Sequence, residues 1–177
     1  MITIGADPEL FLRDKEQNFV SSIGKFGGSK EVPKPIGENC FVQEDNVAVE
    51  FNIPPQSTVE RFIDSINYSL TEIRKRAEEH RLDLAIVPAA YFSREELVDP
   101  KAQEFGCEPD KNAWTLRTNP RPRAVNPTLR SAGGHVHVGC IAFCNEHALH
   151  KYDVIRAMDL FMGIPSVVVD PDITRIA

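Results

Sequence analysis

Acidic and histidine side chains occupy alternate positions in three short apolar segments of this chain. Asp7 and Glu9 stand two residues apart in the first segment, Glu50 is flanked by apolar residues in the second, and His135 and His137 alternate with valines in the third. Successive side chains of a β-strand point to opposite faces. Each segment is therefore predicted to be a strand with acids or histidines on one face. If the strands share a sheet, these side chains line one cleft.

The residue types in this cleft favour a hard divalent cation. Carboxylate oxygens with one or two imidazoles suit Mg²⁺ or Mn²⁺ better than zinc. Several carboxylates that converge without a cation repel one another and raise one another's pKa. Gly133, Gly134 and Gly139 allow a ligand or a backbone to approach the histidines closely. The alternative is a half-exposed strand, which alternates polar and apolar side chains whatever its function.

Basic side chains that could bind phosphate or carboxylate oxygens lie in irregular regions. Lys30 ends the glycine-rich stretch Gly27-Gly28-Ser29-Lys30, and Arg130 comes just before the histidine segment. Lys30 and Arg130 are the favoured nucleotide-binding candidates, and Arg130 is also a catalytic candidate. Each of these cations also fits a solvated surface, as do the further candidates Arg117, Arg121 and Arg123. Trp114 is compatible with stacking on adenine or with a place in the core.

One long amphipathic helix is predicted over residues 58–80. Its apolar residues recur at three- and four-residue spacing, namely Val59, Phe62, Ile63, Ile66, Leu70, Ile73 and Ala77. Ser57 and Glu60 fit a capping box at its start. We expect this stripe to cover Val47, Val49 and Phe51 on the apolar side of the sheet.

The remaining pattern predicts an α+β fold with a mostly antiparallel sheet, because many strand-like runs accompany only two long helical segments. Strands are predicted over 6–13, 46–53, 82–87 and 132–142, and from Val167 onward. A second helix is predicted from Asn145 to about Gly163. Residues 93–130 are predicted to form a long structured loop, and such loops are often functional.

Length and composition limit the classes of protein that remain. The 177 residues predict a single domain over residues 1–177, and the formal charge of −6 argues against non-specific nucleic-acid binding. No apolar run approaches the ~20 residues of a membrane span, and the N-terminus does not resemble a signal peptide. The four cysteines lack the close pairing of a zinc site, so free thiols in a reducing cytoplasm are favoured. They are Cys40, Cys107, Cys140 and Cys144.

Three segments together resemble the phage-type amidoligases, which are carboxylate–amine ligases of the glutamine synthetase and glutamate–cysteine ligase fold. The segments are residues 5–11 (GADPELF), 44–55 (EDNVAVEFNIPP) and 133–139 (GGHVHVG). Residues 27–30 and 106–114 are also similar to connecting segments of that family. The resemblance runs in order from residue 1 to about 175. It implies a glutamine-synthetase-like sheet with helices on one face and a concave polar face that binds ATP and Mg²⁺, with Mn²⁺ as an alternative ion.

The resemblance also implies roles by position. The implied metal ligands are Glu9, Glu50 and His135. His137 would lie near the nucleotide phosphates. The implied catalytic residues are Asp7, beside the first metal ligand, and Asp45, as an amine-side or metal group. The implied reaction activates a carboxylate as an acyl phosphate at the expense of ATP, and an amine then attacks it. The substrates would be small-molecule or peptide carboxylates and amines.

Family members continue past the point that corresponds to the end of this sequence, through a region with further arginines. We therefore expect a C-terminal partner segment or chain, and little ATP turnover by these residues alone. Two alternatives remain: a non-catalytic metal- or nucleotide-binding remnant, and a metal-dependent hydrolase with the same acid and histidine site. The sequence contains no HExxH, GxSxG or Walker motif. The expected location is the cytoplasm, that of an infected bacterial host if the gene is phage-encoded.

Overall fold

The computed structural model describes residues 1–103, 109–121, 126–140 and 148–170. The strands described are β1 (Ile2–Arg13), β2 (Phe19–Val20), β3 (Lys34–Gly37), β4 (Cys40–Asp45), β5 (Ala48–Asn52), β6 (Asp83–Ala85), β7 (Ala89–Tyr91), β8 (Leu129–Ser131) and β9 (Gly134–Cys140). The helices are α1 (Val59–Glu79), α2 (Ala148–Met158) and α3 (Ile164–Val169), and a π-helical turn (Asp159–Gly163) joins the last two. Short 3₁₀ helices cover Glu95–Leu97 and Pro100–Gln103.

The main sheet contains seven strands and is centred on the long strand β1. All its pairings are antiparallel. Ile4 pairs with Val138 of β9 and also with Gln56, just beyond β5, so β9 and β5 flank β1 on opposite edges. Strands β7 and β8 form a separate pair. This antiparallel sheet with few helices confirms the predicted α+β class.

Helix α1 covers one face of the sheet, as its apolar stripe predicts. Ile73 is fully buried in one cluster with Val49 and Phe51 of β5. The partly buried side chains of α1 that pack against this cluster include Phe62, Ile66 and Leu70. The sequence pattern therefore predicts most of the α1 residues that form this core.

The start of α1 differs from the predicted capping box by one residue. Thr58, not Ser57, is the N-cap, and its hydroxyl accepts a hydrogen bond from the backbone N–H of Arg61 at 3.3 Å. A hydroxyl at the N-cap satisfies one of the helix's unpaired N–H groups. Both residues offer that hydroxyl, so residue type alone could not choose between them.

A second buried cluster lies on the opposite face of the sheet, and the sequence pattern did not predict it. Phe11 follows Glu9 by two residues on β1, so the two side chains share a face. Its ring packs edge-on against the rings of Phe92 and Phe19, with centroids 5.3 Å and 6.0 Å away. Ala48 of β5 belongs to the same cluster. An apolar core therefore borders the polar face of the sheet.

The expected position of Val47 beneath α1 is wrong. Val47 is buried in the second cluster, together with Ala48. Asn46 adopts a φ of 53°, which makes a turn between β4 and β5. Regular strand alternation begins only at Ala48, so extending it back to Val47 gives the wrong face.

The C-terminal part of the described chain is helical, so the strand predicted from Val167 is wrong. The π-helical turn continues past Gly163 into α3. Pro165 lies in the first turn of α3, directly after the π-helical turn. The predicted helix start at Asn145 lies outside the described residues. Among the helices that the structure describes, none has the length and apolarity needed to cross a membrane.

Other predicted elements are shorter than the sequence pattern indicates. The strand predicted over 82–87 is limited to β6, and that over 132–142 begins at Gly134. The described residues between 93 and 130 are mostly irregular, as predicted, apart from the 3₁₀ helices and the start of β8. Cys40 and Cys140 are not joined in a disulfide, and Cys107 and Cys144 lie outside the described residues.

Candidate active site

The strand register brings the predicted acids and histidines to one face of the sheet. Glu9 on β1 stands directly opposite Glu50 on β5. Asp7 on β1 stands opposite His135 on β9, and His137 lies opposite Gly5, two residues earlier. Directly opposed residues of antiparallel strands project to the same side. The predicted placement of these residues on one side of a single sheet is therefore confirmed, and their chemical roles remain predictions.

Asp7 is held by both histidines. Its Oδ1 accepts the backbone N–H of His135 at 2.9 Å and lies 3.3 Å from the Nδ1 atom of that ring. Its Oδ2 lies 3.1 Å from Nε2 of His137. The Asp7 side chain is 17% exposed, whereas the two imidazoles are about two-thirds exposed (65% and 63%). Asp7 therefore orients two accessible imidazoles.

Gly134, beside the histidines, allows strands β1 and β9 to approach closely. A Cβ atom added at Gly134 would lie 3.1 Å from the Cα of Pro8. The backbone N–H of Gly133 also donates to Oε2 of Glu9 at 2.8 Å. This segment thus fixes one oxygen of Glu9 at the edge of β9.

Glu50 is tethered in the same way from the opposite side. Gln43 on β4 stands directly opposite Glu50, and its Nε2 donates to Oε2 of Glu50 at 2.7 Å. Each glutamate of the central pair therefore has one oxygen bound to a neutral donor. The described residues give no hydrogen bond to the other oxygen of either carboxylate.

Burial and neighbouring negative charges raise the pKa of both glutamates. The pKa of Glu50 is raised from 4.5 to about 7, chiefly because burial disfavours the charged form. The hydrogen bond from Gln43 acts in the opposite direction, and the charges of Asp45, Asp7 and Glu9 add to the increase. The pKa of Glu9 is also raised, chiefly by burial. The pair thus holds negative charge at a cost that a bound cation would relieve.

Asp45 lies close enough to influence both glutamates. It follows Gln43 by two residues on β4 and pairs with Ala48, so alternation places it on the face that carries Glu50. Its charge raises the pKa of Glu9 and of Glu50. Position and charge are compatible with the predicted amine-side or metal role.

Arg130 is engaged with the protein backbone, which argues against its predicted catalytic and phosphate-binding roles. Its side chain is buried on β8, where its Nε donates to the carbonyl of Ala102 at 2.8 Å. Its Nη1 donates to the carbonyls of Leu129 at 2.6 Å and Pro127 at 3.0 Å. Burial lowers the pKa of Arg130. Being next to the histidine strand in sequence did not bring the guanidinium to the acids.

The other predicted cations make no described contact with the acidic face, which is the face of the sheet that carries Asp7, Glu9 and Glu50. Lys30 is exposed beside a tight turn formed by Ser29 and Val32. Arg117 and Arg121 are exposed in the irregular region, and Arg123 lies outside the described residues. The nucleotide-binding role of Lys30 therefore remains a prediction.

Trp114 joins the irregular region to α2 and the turn that follows it. Its indole Nε1 donates to Asp159 at 2.7 Å, and the guanidinium of Arg156 lies 5.8 Å from the centroid of its ring system. Nε of Arg156 also donates to the carbonyl of Ala113 at 2.9 Å. Trp114 is half-exposed, so of the two sequence interpretations the place in the core is wrong.

Gln43 is the site residue that the sequence analysis missed. It is 5% exposed, although glutamine is mostly a surface residue. The alternation Gln43, Asp45 within β4 was visible in the sequence. Its alignment against Glu50 was not, because register depends on how β4 and β5 pair.

The donor set fits a hard divalent cation in its chemistry, although the side chains do not form a closed cage. Within the described ranges, no three His, Cys, Asp or Glu side chains are grouped as a metal ion would require. What they provide is a facing glutamate pair with an Asp–His group beside it. Two clefts, of about 370 Å³ beside Tyr68 and about 420 Å³ beside Tyr91, are lined by other residues.

Comparisons with protein-family models, with curated proteins and with solved structures found no match to this chain. Its function is therefore inferred from the geometry and chemistry of the face that carries Asp7, Glu9 and Glu50.

Proposed function

We propose that this chain is an ATP-dependent carboxylate–amine ligase of the amidoligase kind, or the N-terminal portion of one. Its sheet would then be of the glutamine-synthetase type. The observation that supports this proposal is the directly opposed pair of Glu9 and Glu50, with Asp7, His135 and His137 on the same face. These are the residues of the segments that resemble amidoligases.

The glutamate pair is costly unless a cation binds it. Like charges directly opposite each other on neighbouring strands are destabilising, and burial adds to the cost of ionising Glu9 and Glu50. A fold without a use for this pair would be more stable with one neutral residue in it. The arrangement therefore supports a site that binds a divalent cation.

In this proposal Glu9, Glu50 and His135 hold Mg²⁺, or Mn²⁺ as the alternative. A bound Mg²⁺ would neutralise phosphate charge and polarise a phosphoryl oxygen. Asp7 orients the imidazoles of His135 and His137 through the contacts described above. Asp45 adds negative charge on the same face, where it would attract a protonated amine.

The overall reaction has two chemical steps. An oxygen of the substrate carboxylate attacks the γ-phosphorus of ATP, which gives an acyl phosphate and ADP. The amine nitrogen then attacks the acyl carbon, phosphate leaves and the amine loses a proton, which gives the amide. Both steps depend on positioning and charge stabilisation more than on covalent participation of the protein.

A second candidate function is that of a metal- or nucleotide-binding module without turnover. The observation that favours it is the backbone engagement of Arg130. Phosphoryl transfer is accelerated by fixed cationic donors, and no described Lys or Arg donates to the carboxylates of Asp7, Glu9 or Glu50. In the ligase proposal these donors come from residues outside the described ranges or from a further segment or chain.

Trapping with hydroxylamine tests the ligase proposal. Hydroxylamine replaces the amine and converts an acyl phosphate into a stable hydroxamate. The protein, with any polypeptide encoded downstream, is incubated with Mg²⁺–ATP, hydroxylamine and a panel of amino acids and short peptides. We expect hydroxamate and ADP in equal amounts, and none of either with Glu50→Gln. Glu79→Gln, an exposed residue at the end of α1, is the matched control. ADP without hydroxamate would instead indicate hydrolysis, and neither product would favour the binding module.

A further inference from the structure

Gln43, Glu50 and Glu9 form a row across three neighbouring strands. Gln43 on β4 is opposite Glu50 on β5, and Glu50 is opposite Glu9 on β1. The amide of Gln43 is almost completely buried, and its Nε2 lies 2.7 Å from Oε2 of Glu50. A buried amide donor at this distance fixes the carboxylate that accepts from it.

The two glutamates of the row are held in the same way, each by one neutral hydrogen-bond donor. Gly133 donates its backbone N–H to Oε2 of Glu9 at 2.8 Å, as Gln43 donates its amide to Oε2 of Glu50. Both donors are neutral, and each occupies one oxygen of its glutamate. Each carboxylate thus keeps one oxygen that accepts no hydrogen bond from the described residues.

We propose that Gln43 is a positioning residue for the cation site: it fixes Glu50 through Oε2, so that this carboxylate would be held in place to bind a divalent cation together with Glu9. The inference rests on the proposed function, in which Glu50 is a metal ligand. Side chains that hold metal ligands in place commonly change metal affinity by about 10–100-fold when they are replaced. The donor to Glu9 is a backbone N–H, which a substitution does not remove. The donor to Glu50 is the side chain of Gln43, which a substitution can remove.

Mn²⁺ alone is the probe for this inference, since its free concentration is read directly by electron paramagnetic resonance. Gln43→Met keeps the length of the side chain and removes its donor. We expect it to weaken Mn²⁺ binding about 10–100-fold at a temperature where the variant is folded. Ser69→Ala, which removes a buried hydroxyl of α1 on the other face, is the control for a general loss of stability and should leave the affinity unchanged.

A double-mutant cycle distinguishes positioning from a general structural effect. If Gln43 acts through Glu50, the variant carrying both Gln43→Met and Glu50→Gln should bind Mn²⁺ no more weakly than Glu50→Gln alone. Losses that simply add would overturn the positioning role. Unchanged affinity in Gln43→Met, with weaker binding in Glu50→Gln, would overturn the role of Gln43 only. Unchanged affinity in both single variants would overturn the proposed cation site as well.

Discussion

Glu9 and Glu50 stand directly opposite each other on neighbouring antiparallel strands, with both carboxylates on the face of the sheet away from α1. Each has one oxygen bound to a neutral donor and a pKa raised chiefly by burial. This relationship makes the face electrostatically unfavourable once Glu50 is ionised, unless a cation is bound.

The stability of the protein should fall as pH rises from about 4.5 to about 7. The folded state keeps the Glu50 proton up to its raised pKa of about 7, whereas the unfolded chain loses it near 4.5. The folded state therefore binds more protons across this interval, and the free energy of unfolding decreases with pH. Urea unfolding at pH 5, 6, 7 and 8 measures the slope. We expect Glu50→Gln to flatten it and Glu79→Gln to leave it unchanged; equal slopes in all three proteins would contradict the account.

Mg²⁺ should stabilise the folded protein above pH 7, where Glu50 is ionised because the pH exceeds its raised pKa of about 7. A ligand that binds only the folded state at ten times its Kd adds about 1.4 kcal/mol. Thermal unfolding with and without Mg²⁺ measures this gain. It should disappear in Glu9→Gln and Glu50→Gln and persist in Glu79→Gln. An equal gain in the site variants would mean that the ion binds elsewhere.

The core beneath α1 should be sensitive to truncation in proportion to burial. Ile73 is fully buried, so Ile73→Ala should lower the free energy of unfolding by about 2–5 kcal/mol. Ile66 is partly buried, so Ile66→Ala should fall near the lower end of that range. Ile63 is half-exposed, and Ile63→Ala should change stability by no more than about 0.5 kcal/mol. Chemical denaturation would contradict this packing if Ile63→Ala proved as costly as Ile73→Ala.

Arg130 should matter for stability and not for cation binding. Arg130→Met leaves carbonyls of Ala102, Leu129 and Pro127 without their donor. One unsatisfied buried polar group costs about 1–3 kcal/mol, so the free energy of unfolding should fall by at least that amount. The Mn²⁺ affinity of the folded variant should equal that of the parent. A weaker Mn²⁺ affinity without a loss of stability would contradict this account and place Arg130 in the cation site.

The content of the polar face could be predicted from the sequence, because it depends on local alternation. Asp7 with Glu9, and His135 with His137, share a face in any strand that contains them. The amphipathic stripe of α1 follows equally from local spacing. These parts of the prediction were correct because each depends on a few consecutive residues.

Features that depend on long-range pairing could not be predicted from the sequence. The hydrogen bond between His135 and Asp7 joins residues 128 positions apart, and the alignment of Gln43 with Glu50 is set by the β4–β5 turn. The same turn, through Asn46, moved Val47 into the other cluster. Strand register and tertiary packing decide such outcomes, and local composition does not specify them.

Calorimetric titration with Mg²⁺–ATP tests the central claim most directly, because the claim is that the Glu9–Glu50 face binds the cation of a bound nucleotide. The titration compares the parent protein with Glu79→Gln, Glu50→Gln and His135→Ala at pH 8. We predict one Kd for the parent and Glu79→Gln, and a Kd at least about tenfold higher in Glu50→Gln and His135→Ala, since each loses a proposed ligand. The same Kd in all four proteins would contradict the assignment of this face as the site.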